Sequence, residues 1–405
     1  MKVVYNRHMK KKIPHIQVDA FPLVDSHFSG VGHYTLGIVR GFDELAGEGK
    51  ITYSLITPKG WAGRLKKYEF QHYKKIIKSP IPNRVMRGFM KYHWNIPSDL
   101  FLGRGYYWFP SFLAWPTWSA KSSVVVHDVT YLAVPECVEV GNKKYLTQTV
   151  PFSLENAQNV IAVSQFSKDE IIKYYKYPKE KIFVAHPSID RSHFYRRSPE
   201  EIHKVKAKYD IFSEKYILSV GNIEPRKNYG KLIDAYLKLP KRVTDKYPLV
   251  IVGAGGWNNK DVKDKIQKAK EDGYRIINPK QFVLDEDMPA LYSGAQFFIF
   301  TPIYEGFGMP PLEAFACGTP TIASNVTSVP EAAGEAAVYV DPYDVNDIKN
   351  KLEYMVVETE KDRNQWDDKI KEHLESLNWR ASANITASAL TGLPLEYFQK
   401  IGANK

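Results

Sequence analysis

Short runs of β-branched and aromatic residues recur along the chain, separated by stretches with helical period. The first half predicts strands at "HIQVDA", "ITYSLIT", "YYWFP", "SVVVHD", "NVIAVS" and "KIFVAHP". The second half repeats the pattern at "YILSVGN", "PLVIVGAGG", "RIINP", "QFFIFTP", "PTIAS" and "AAVYVDP". Several of these runs are apolar throughout, as expected of parallel strands covered on both faces. Helical spacing lies between them, as in Leu232, Ile233, Tyr236 and Leu237, and again in Ile348, Leu352 and Met355. Two successive sets of βα units predict an α/β chain of two doubly wound domains. The polar segment "SIDRSHFYRRSPEEIHKVKAKYDIFSEK" places the boundary near residue 195, giving domains 1–195 and 196–379. A helix and tail, about 380–405, are expected to pack back on the first domain.

At 405 residues the chain has the length of two such domains. Its formal net charge of +11 points to an anionic partner: nucleic acid, an acidic membrane face or a phosphorylated substrate. The cysteines, Cys137 and Cys317, stand in unrelated contexts, which suits neither a disulfide framework nor a metal pair and predicts a reducing cytoplasm. The basic N-terminal stretch has no apolar run of signal-peptide length, and no segment approaches ~20 apolar residues. In residues 64–91, nine cations (Arg64, Lys66, Lys67, Lys74, Lys75, Lys78, Arg84, Arg87 and Lys91) face a single acid, Glu69, with aromatic residues interleaved. A basic, aromatic-rich helical segment suits peripheral docking to an anionic membrane; the plain alternative is a solvated insertion. No recognised nucleic-acid module accompanies the charge, so nucleic acid is not expected as a partner.

Candidate chemistry concentrates in a few turns. In "YEGFGMPPLEAFACGTPTIAS", Glu305 and Glu313 are separated by seven residues. Pro310 is expected to be extended because a proline follows it, making Pro311 the first helical residue and Glu313 the third. A glutamate there is often half of a capping box, but this cap position holds proline. Gly306 and Gly308 allow backbone amides to turn toward a ligand, and free amides at a helix start attract phosphate. The site could thus combine an anion-binding amide cluster with carboxylates for hydroxyl groups. In "SVGNIEPRKNYGKLIDAYL", Asn228 is placed to cap a helix, and Arg226 and Lys227 precede it. Cations at that end oppose the helix dipole unless an anion such as a diphosphate intervenes; a solvent-facing basic turn is the alternative.

Gly30 and Gly32 in "SHFSGVGHYTLGIV" follow the first strand, without the third glycine or downstream acid of an NAD fingerprint. His127 and Asp128 end an apolar strand, where open α/β sheets bind ligands. In "VIAVSQFSKDEI", Ser167 and Glu170 fit a capping box, and Ser164 is placed to line a cleft on the acceptor side. Asp285–Asp287 match a D-x-D metal pattern but read better as the acidic first turn of a helix, so no metal is expected.

These motifs in this order resemble retaining glycosyltransferases of family 4, whose signature is E-x7-E and whose fold is GT-B. "EGFGMPPLEAFACGTPTIAS" carries the signature, "GNIEPRKN" is similar to the family's Arg-Lys turn, and "SGVGHYT" stands where the family has "GGIGRY", with His33 in the arginine's place. The resemblance implies two Rossmann-like domains facing each other across a deep cleft, with a nucleotide-sugar donor held between them and no cofactor. It implies Arg226 and Lys227 on the diphosphate, helped by the backbone of Gly306, Phe307, Gly308 and Met309. Glu313 would hold the ribose and Glu305 the sugar hydroxyls. His127 would contact the sugar, the Gly30–Gly32 loop would close over the phosphates, and the base would lie near Phe282 and Val283. "SNVTSVPEAAGEAAVYVDP" looks most like bacterial surface-polysaccharide mannosyltransferases, which suggests GDP-mannose; UDP-sugars stay open. A soluble sugar-phosphate synthase and a non-catalytic nucleotide-sugar binder are the alternatives of the same fold.

Overall fold

The computed structural model describes residues 13–25, 29–253 and 255–399, with only the backbone of Asn83. The N-terminal 1–12, Ser26–Phe28 of the first glycine loop and 400–405 of the tail reading lie outside these. The chain forms two compact units, Met1–Val125 with Thr149–Ile161 and Ala383–Lys405, and Val126–Gln148 with Ala162–Ser382.

The first sheet contains β1 (His15–Asp19), β2 (Thr52–Pro58), β3 (Ile76–Ser79), β4 (Tyr106–Phe109), β5 (Ser122–Val126), β6 (Asn159–Ala162) and β7 (Ile182–Val184). Its order is β3-β2-β1-β4-β5-β6-β7. The second contains β8 (Ile217–Val220), β9 (Leu249–Val252), β10 (Ile276–Ile277), β11 (Phe297–Phe300), β12 (Thr321–Ser324) and β13 (Ala337–Val340), in the order β10-β9-β8-β11-β12-β13. Each therefore reverses its winding beside its first strand, the doubly wound arrangement of dinucleotide-binding folds. The runs that are apolar on both faces in the sequence are buried on both faces: SSVVV, LVIV, FFIF and TIAS have no exposed residue. In the first unit, Trp108 on β4 meets Phe42 edge-on with ring centroids 5.5 Å apart, both rings fully buried.

One sequence expectation is corrected at this level. Residues 64–91 are not one helical segment: a 3-10 helix (Ala62–Tyr68) and an α-helix (Asn83–Lys91) flank a strand. Ile76–Ser79 forms an edge strand parallel to β2, with Leu55 opposite Ile76 and Ile56 opposite Ile77. The four-residue strand is flanked by lysines and too short to show a period, so only its pairing with β2 reveals it. The interleaved apolar residues are partly consumed by the fold: Leu65, Met86 and Met90 are buried.

The C-terminal helix, Trp379–Thr391, brings its end and the following turn onto the first unit. Asn159 Nδ2 donates to the Ala389 carbonyl at 2.6 Å, and Lys50 Nζ to that of Phe398 at 3.1 Å.

Candidate active site

In an open parallel sheet the ligand crevice lies outside the carboxyl ends of the strands, where the winding reverses. In the second sheet that point is between β8 and β11, which pair with Ile217 opposite Phe297. The chain leaves β8 through Gly221, makes a single 3-10 turn at Pro225–Lys227, and reverses at Asn228 (φ 60°) into the helix Tyr229–Leu237. It leaves β11 through Thr301–Phe307 and turns at Gly308 (φ 103°) into the helix Met309–Ala316. The two loops are tied directly: Ile303 N donates to the Arg226 carbonyl at 2.9 Å.

This tie sets the charges face to face. Glu305 Oε1 lies 2.5 Å from Lys227 Nζ, and its Oε2 2.8 Å from Arg226 Nη1. Arg226 Nη2 reaches Glu224 at 2.7 Å. Lys227 also stands 4.9 Å from the centre of the Phe300 ring. Glu305 is only 8% exposed. Burial alone would raise its carboxyl, but Arg226 and Lys227 outweigh burial and hold it below the ordinary glutamate value. Burial likewise opposes the Arg226 charge, and Glu305, Glu224 and Asp128 keep the guanidinium above its ordinary value. Burial pulls the Lys227 ammonium down, against Glu305.

Glu313 has the opposite fate: burial pushes its carboxyl up to about 7, Asp285 adding to the rise while Tyr292 and Lys227 oppose it. Tyr292 Oη donates to Glu313 Oε2 at 2.7 Å. Two glutamates on one loop and helix are thus one anionic and one poised near neutrality, with Lys227 acting on both.

A model of the family described as "Glycosyltransferase Family 4" matches residues 28–193, and one described as "Glycosyl transferases group 1" matches residues 200–373. The chain belongs to glycosyltransferase family 4. The family's two characteristic regions follow one another along this chain in the order that the motifs predict. The chain is 36% identical over 228 residues to O-antigen chain mannosyltransferase B of Escherichia coli, covering 56% of this chain and 59% of that protein. It is 32% identical over 245 residues to the serotype-specific mannosyltransferase WbdA of the same species, covering 58% of this chain and 29% of that protein. The match thus spans less than two thirds of the length of either relative. Among solved structures, Anabaena Alr3699/HepE in complex with UDP and glucose superposes with a TM-score of 0.67 at 16% identity, covering 94% of this chain and 100% of that chain. With the two sheet orders, this gives the GT-B fold.

Around the family 4 signature, several expected details are corrected. The helix starts at Met309, not Pro311, with Gly308 at the cap, so Glu313 is its fifth residue. Prolines at the second and third positions cost nothing there, since first-turn amides have no helical partner. The amides left at the mouth are those of Gly308 and Met309. Asn228 stands at the cap position but does not cap: its side chain donates to the Pro342 carbonyl at 2.7 Å. Ser164, not Ser167, caps the helix Gln165–Tyr175, accepting from Ser167 N at 2.9 Å and donating to the Gly306 carbonyl at 2.7 Å. Ser164 is fully buried, so its hydroxyl is spent on the cap and on Gly306, away from the acceptor contact expected of it.

The family 4 site residues divide as follows. Arg226, Lys227 and Glu305 share one ion-paired cluster, and Gly306, Phe307, Gly308 and Met309 continue its loop. His127 follows β5, and its carbonyl accepts from Ser167 Oγ at 3.1 Å while lying against Gly306. Phe307 is buried with its ring 5.8 Å from that of His186. Phe282 is 71% exposed and Val283 half-buried. Gly30 and Gly32 open the helix Gly30–Gly47 in the other unit. Asp285–Asp287 form a 3-10 turn before the helix Met288–Gly294, with Asp287 held by Lys208 and Tyr209, each at 2.6 Å.

Sequence reasoning missed Glu224, Tyr292 and Glu331. Glu224 had a signal, an acid two residues before the arginine in the same turn. Glu331 takes Gln165 N and Phe166 N, each at 2.7 Å, and His186 at 3.2 Å, a contact across 145 residues that no local pattern carries. Among the described residues, no helix is long and apolar enough to cross a membrane.

Proposed function

We propose that the protein is a retaining glycosyltransferase that moves a hexose from a nucleotide-diphosphate sugar to a hydroxyl of a glycan or lipid-linked acceptor, in surface polysaccharide biosynthesis. Mannose from GDP-mannose is the first candidate donor. The observation that carries the reading is the buried Glu305–Arg226–Lys227 cluster at the switch point of the second sheet. Peripheral contact with the inner face of a cytoplasmic membrane belongs to the same reading.

Breaking the anomeric C–O bond leaves its electron pair on the diphosphate and positive charge on the sugar ring. Arg226 and Lys227, with the amides of Gly308 and Met309, take up the first charge in a site where water screens little. Glu305 takes the sugar hydroxyls and offsets part of the ring's positive charge. His127 contacts the sugar, Glu313 the ribose, and the base lies near Phe282 and Val283. The acceptor oxygen attacks the face that the diphosphate leaves, and the departing diphosphate oxygen takes the acceptor's proton. Arg226 and Lys227 supply the positive charge that a metal brings elsewhere, so transfer is expected to proceed without one.

A thermal-shift screen against GDP, UDP, ADP and their sugars tests the donor. One nucleotide series is expected to raise Tm, and its sugar is expected to be hydrolysed slowly without acceptor. No stabilisation by any of them sinks the reading, and stabilisation without hydrolysis or transfer favours a non-catalytic binder.

Glu313 adds a pH signature. In the free protein its carboxyl titrates near 7, whereas a ribose diol donates to the carboxylate. Nucleotide binding is therefore expected to release protons near neutrality, and affinity to fall as pH drops through about 7. Calorimetry in buffers of different ionisation heat measures the release. Glu313→Gln should abolish it; release unchanged in that variant removes Glu313 from the ribose.

A further inference from the structure

Most of residues 64–91 do not form a lipid-facing surface. Several apolar side chains of that segment are packed into the fold; Tyr73 and Val85 are exposed, but larger exposed surfaces come after it. Tyr92, Trp94, Leu100 and Trp118 are 66, 56, 70 and 77% exposed. Leu100 and Trp118 lie on segments tied to each other, and Tyr92 and Trp94 precede Leu100 by a few residues in the chain. Trp94 stacks on Phe89 with centroids 5.3 Å apart. Asp99, beside Leu100, accepts from Trp118 N at 2.7 Å, Ser119 N at 2.9 Å and Ala120 N at 3.0 Å. Ser98 N holds the Pro116 carbonyl at 2.8 Å. The loop carrying Trp118 is therefore stitched to the turn carrying Leu100.

The two segments lead into β4 and β5, which run parallel, so they share the amino-terminal edge of the first sheet. Open α/β sheets bind substrates at the opposite, carboxyl edge. Substrate binding therefore does not account for exposed tryptophans here. The charge is one-sided as well. Residues 84–121 contain Arg84, Arg87, Lys91, Arg104 and Lys121 against one acid, Asp99, which is occupied by backbone amides. Indole rings with aliphatic neighbours and adjacent cations match a bilayer interface bearing anionic headgroups.

We propose that the amino-terminal edge of the first sheet, through Tyr92, Trp94, Leu100 and Trp118, docks on an anionic lipid bilayer. This deepens the membrane part of the reading above and does not depend on the donor. Docking there leaves the carboxyl edge of the sheet facing away from the lipid, which suits an acceptor whose growing end extends from the membrane.

Flotation with vesicles of phosphatidylcholine, alone or mixed with phosphatidylglycerol, tests the proposal on the full chain. The protein should float with the mixed vesicles, weakly with the neutral ones, and less as salt rises. Leu100→Ser with Trp118→Ser should weaken vesicle binding about tenfold or more. Lys91→Glu with Lys121→Glu should weaken it about 30-fold or more and remove the preference for anionic lipid. All four positions are exposed, so Tm should hold in both variants, as should transfer to a soluble acceptor. Failure to float, or floating that neither variant changes, overturns the proposal. A dimer by light scattering that the Leu100/Trp118 variant dissolves, with no vesicle binding, assigns the surface to a second copy instead. Floating without transfer, or transfer without floating, separates this inference from the catalytic reading.

Discussion

Lys227→Ala is expected to lower kcat by about 10²–10³-fold, the loss seen when one preorganised donor to a developing anion is removed. The reason lies in where the ammonium sits. It is nearly buried, held at 2.5 Å by Glu305 and backed by the Phe300 ring, so it meets the leaving diphosphate without reorganising. Its charge is also felt strongly there, because little water intervenes. Folding should suffer less than catalysis, since Arg226 remains 2.8 Å from Glu305 and keeps that carboxylate paired. Lys227→Arg is not expected to restore the rate, because a planar fork replaces a point charge in a space already shared with Arg226. Steady-state kinetics with the donor selected by the thermal-shift screen, together with the Tm of each variant, checks this. A kcat within a few-fold of the parent, in a variant that still binds nucleotide, would remove Lys227 from the diphosphate.

The difference between what the sequence discloses and what it conceals follows from the range of each interaction. Strands such as FFIF and LVIV are legible because burial on both faces demands an unbroken apolar run. The Arg226–Lys227 turn and the Glu305–Glu313 spacing are legible because each lies within one loop or helix. That they form one cluster depends on β8 lying beside β11, and only the winding order establishes that. The misplaced cap at Ser167 has the same origin. Ser164 and Ser167 both fit a helical start, and Ser164 is the cap because it accepts from Ser167 N, while Ser167 Oγ is turned to the carbonyls of His127 and Gly306, distant in the chain. The edge strand Ile76–Ser79 was hidden by its length and by the lysines around it. Glu313's elevated carboxyl comes from burial, with Asp285 adding to it, neither of which its own helix specifies.

Gly306→Ala is expected to damage stability and activity together, and Gly30→Ala to leave stability intact. A Cβ on Gly306 would collide with the carbonyl oxygen of His127 and stand 2.9 Å from the Asp128 Cβ. The obstacle is backbone, so no side chain can swing aside to relieve it. The Gly306 carbonyl meanwhile accepts from Ser164 Oγ at 2.7 Å and Ser167 Oγ at 2.9 Å, so moving the loop breaks those bonds as well. Overpacking of this kind costs about 1–3 kcal/mol, and each strained hydrogen bond about 1 more. The shift also displaces Glu305, one residue earlier, from the cations that it holds. Activity should therefore fall further than the loss of folded protein explains. Gly30 is the control, because a Cβ there meets nothing within 4 Å and alanine suits a helix better than glycine. Thermal denaturation and donor turnover of the two variants check the pair. A Gly306→Ala protein with the parent's Tm and turnover would mean that this loop can move off His127 freely, and that close backbone approach does not set the position of Glu305.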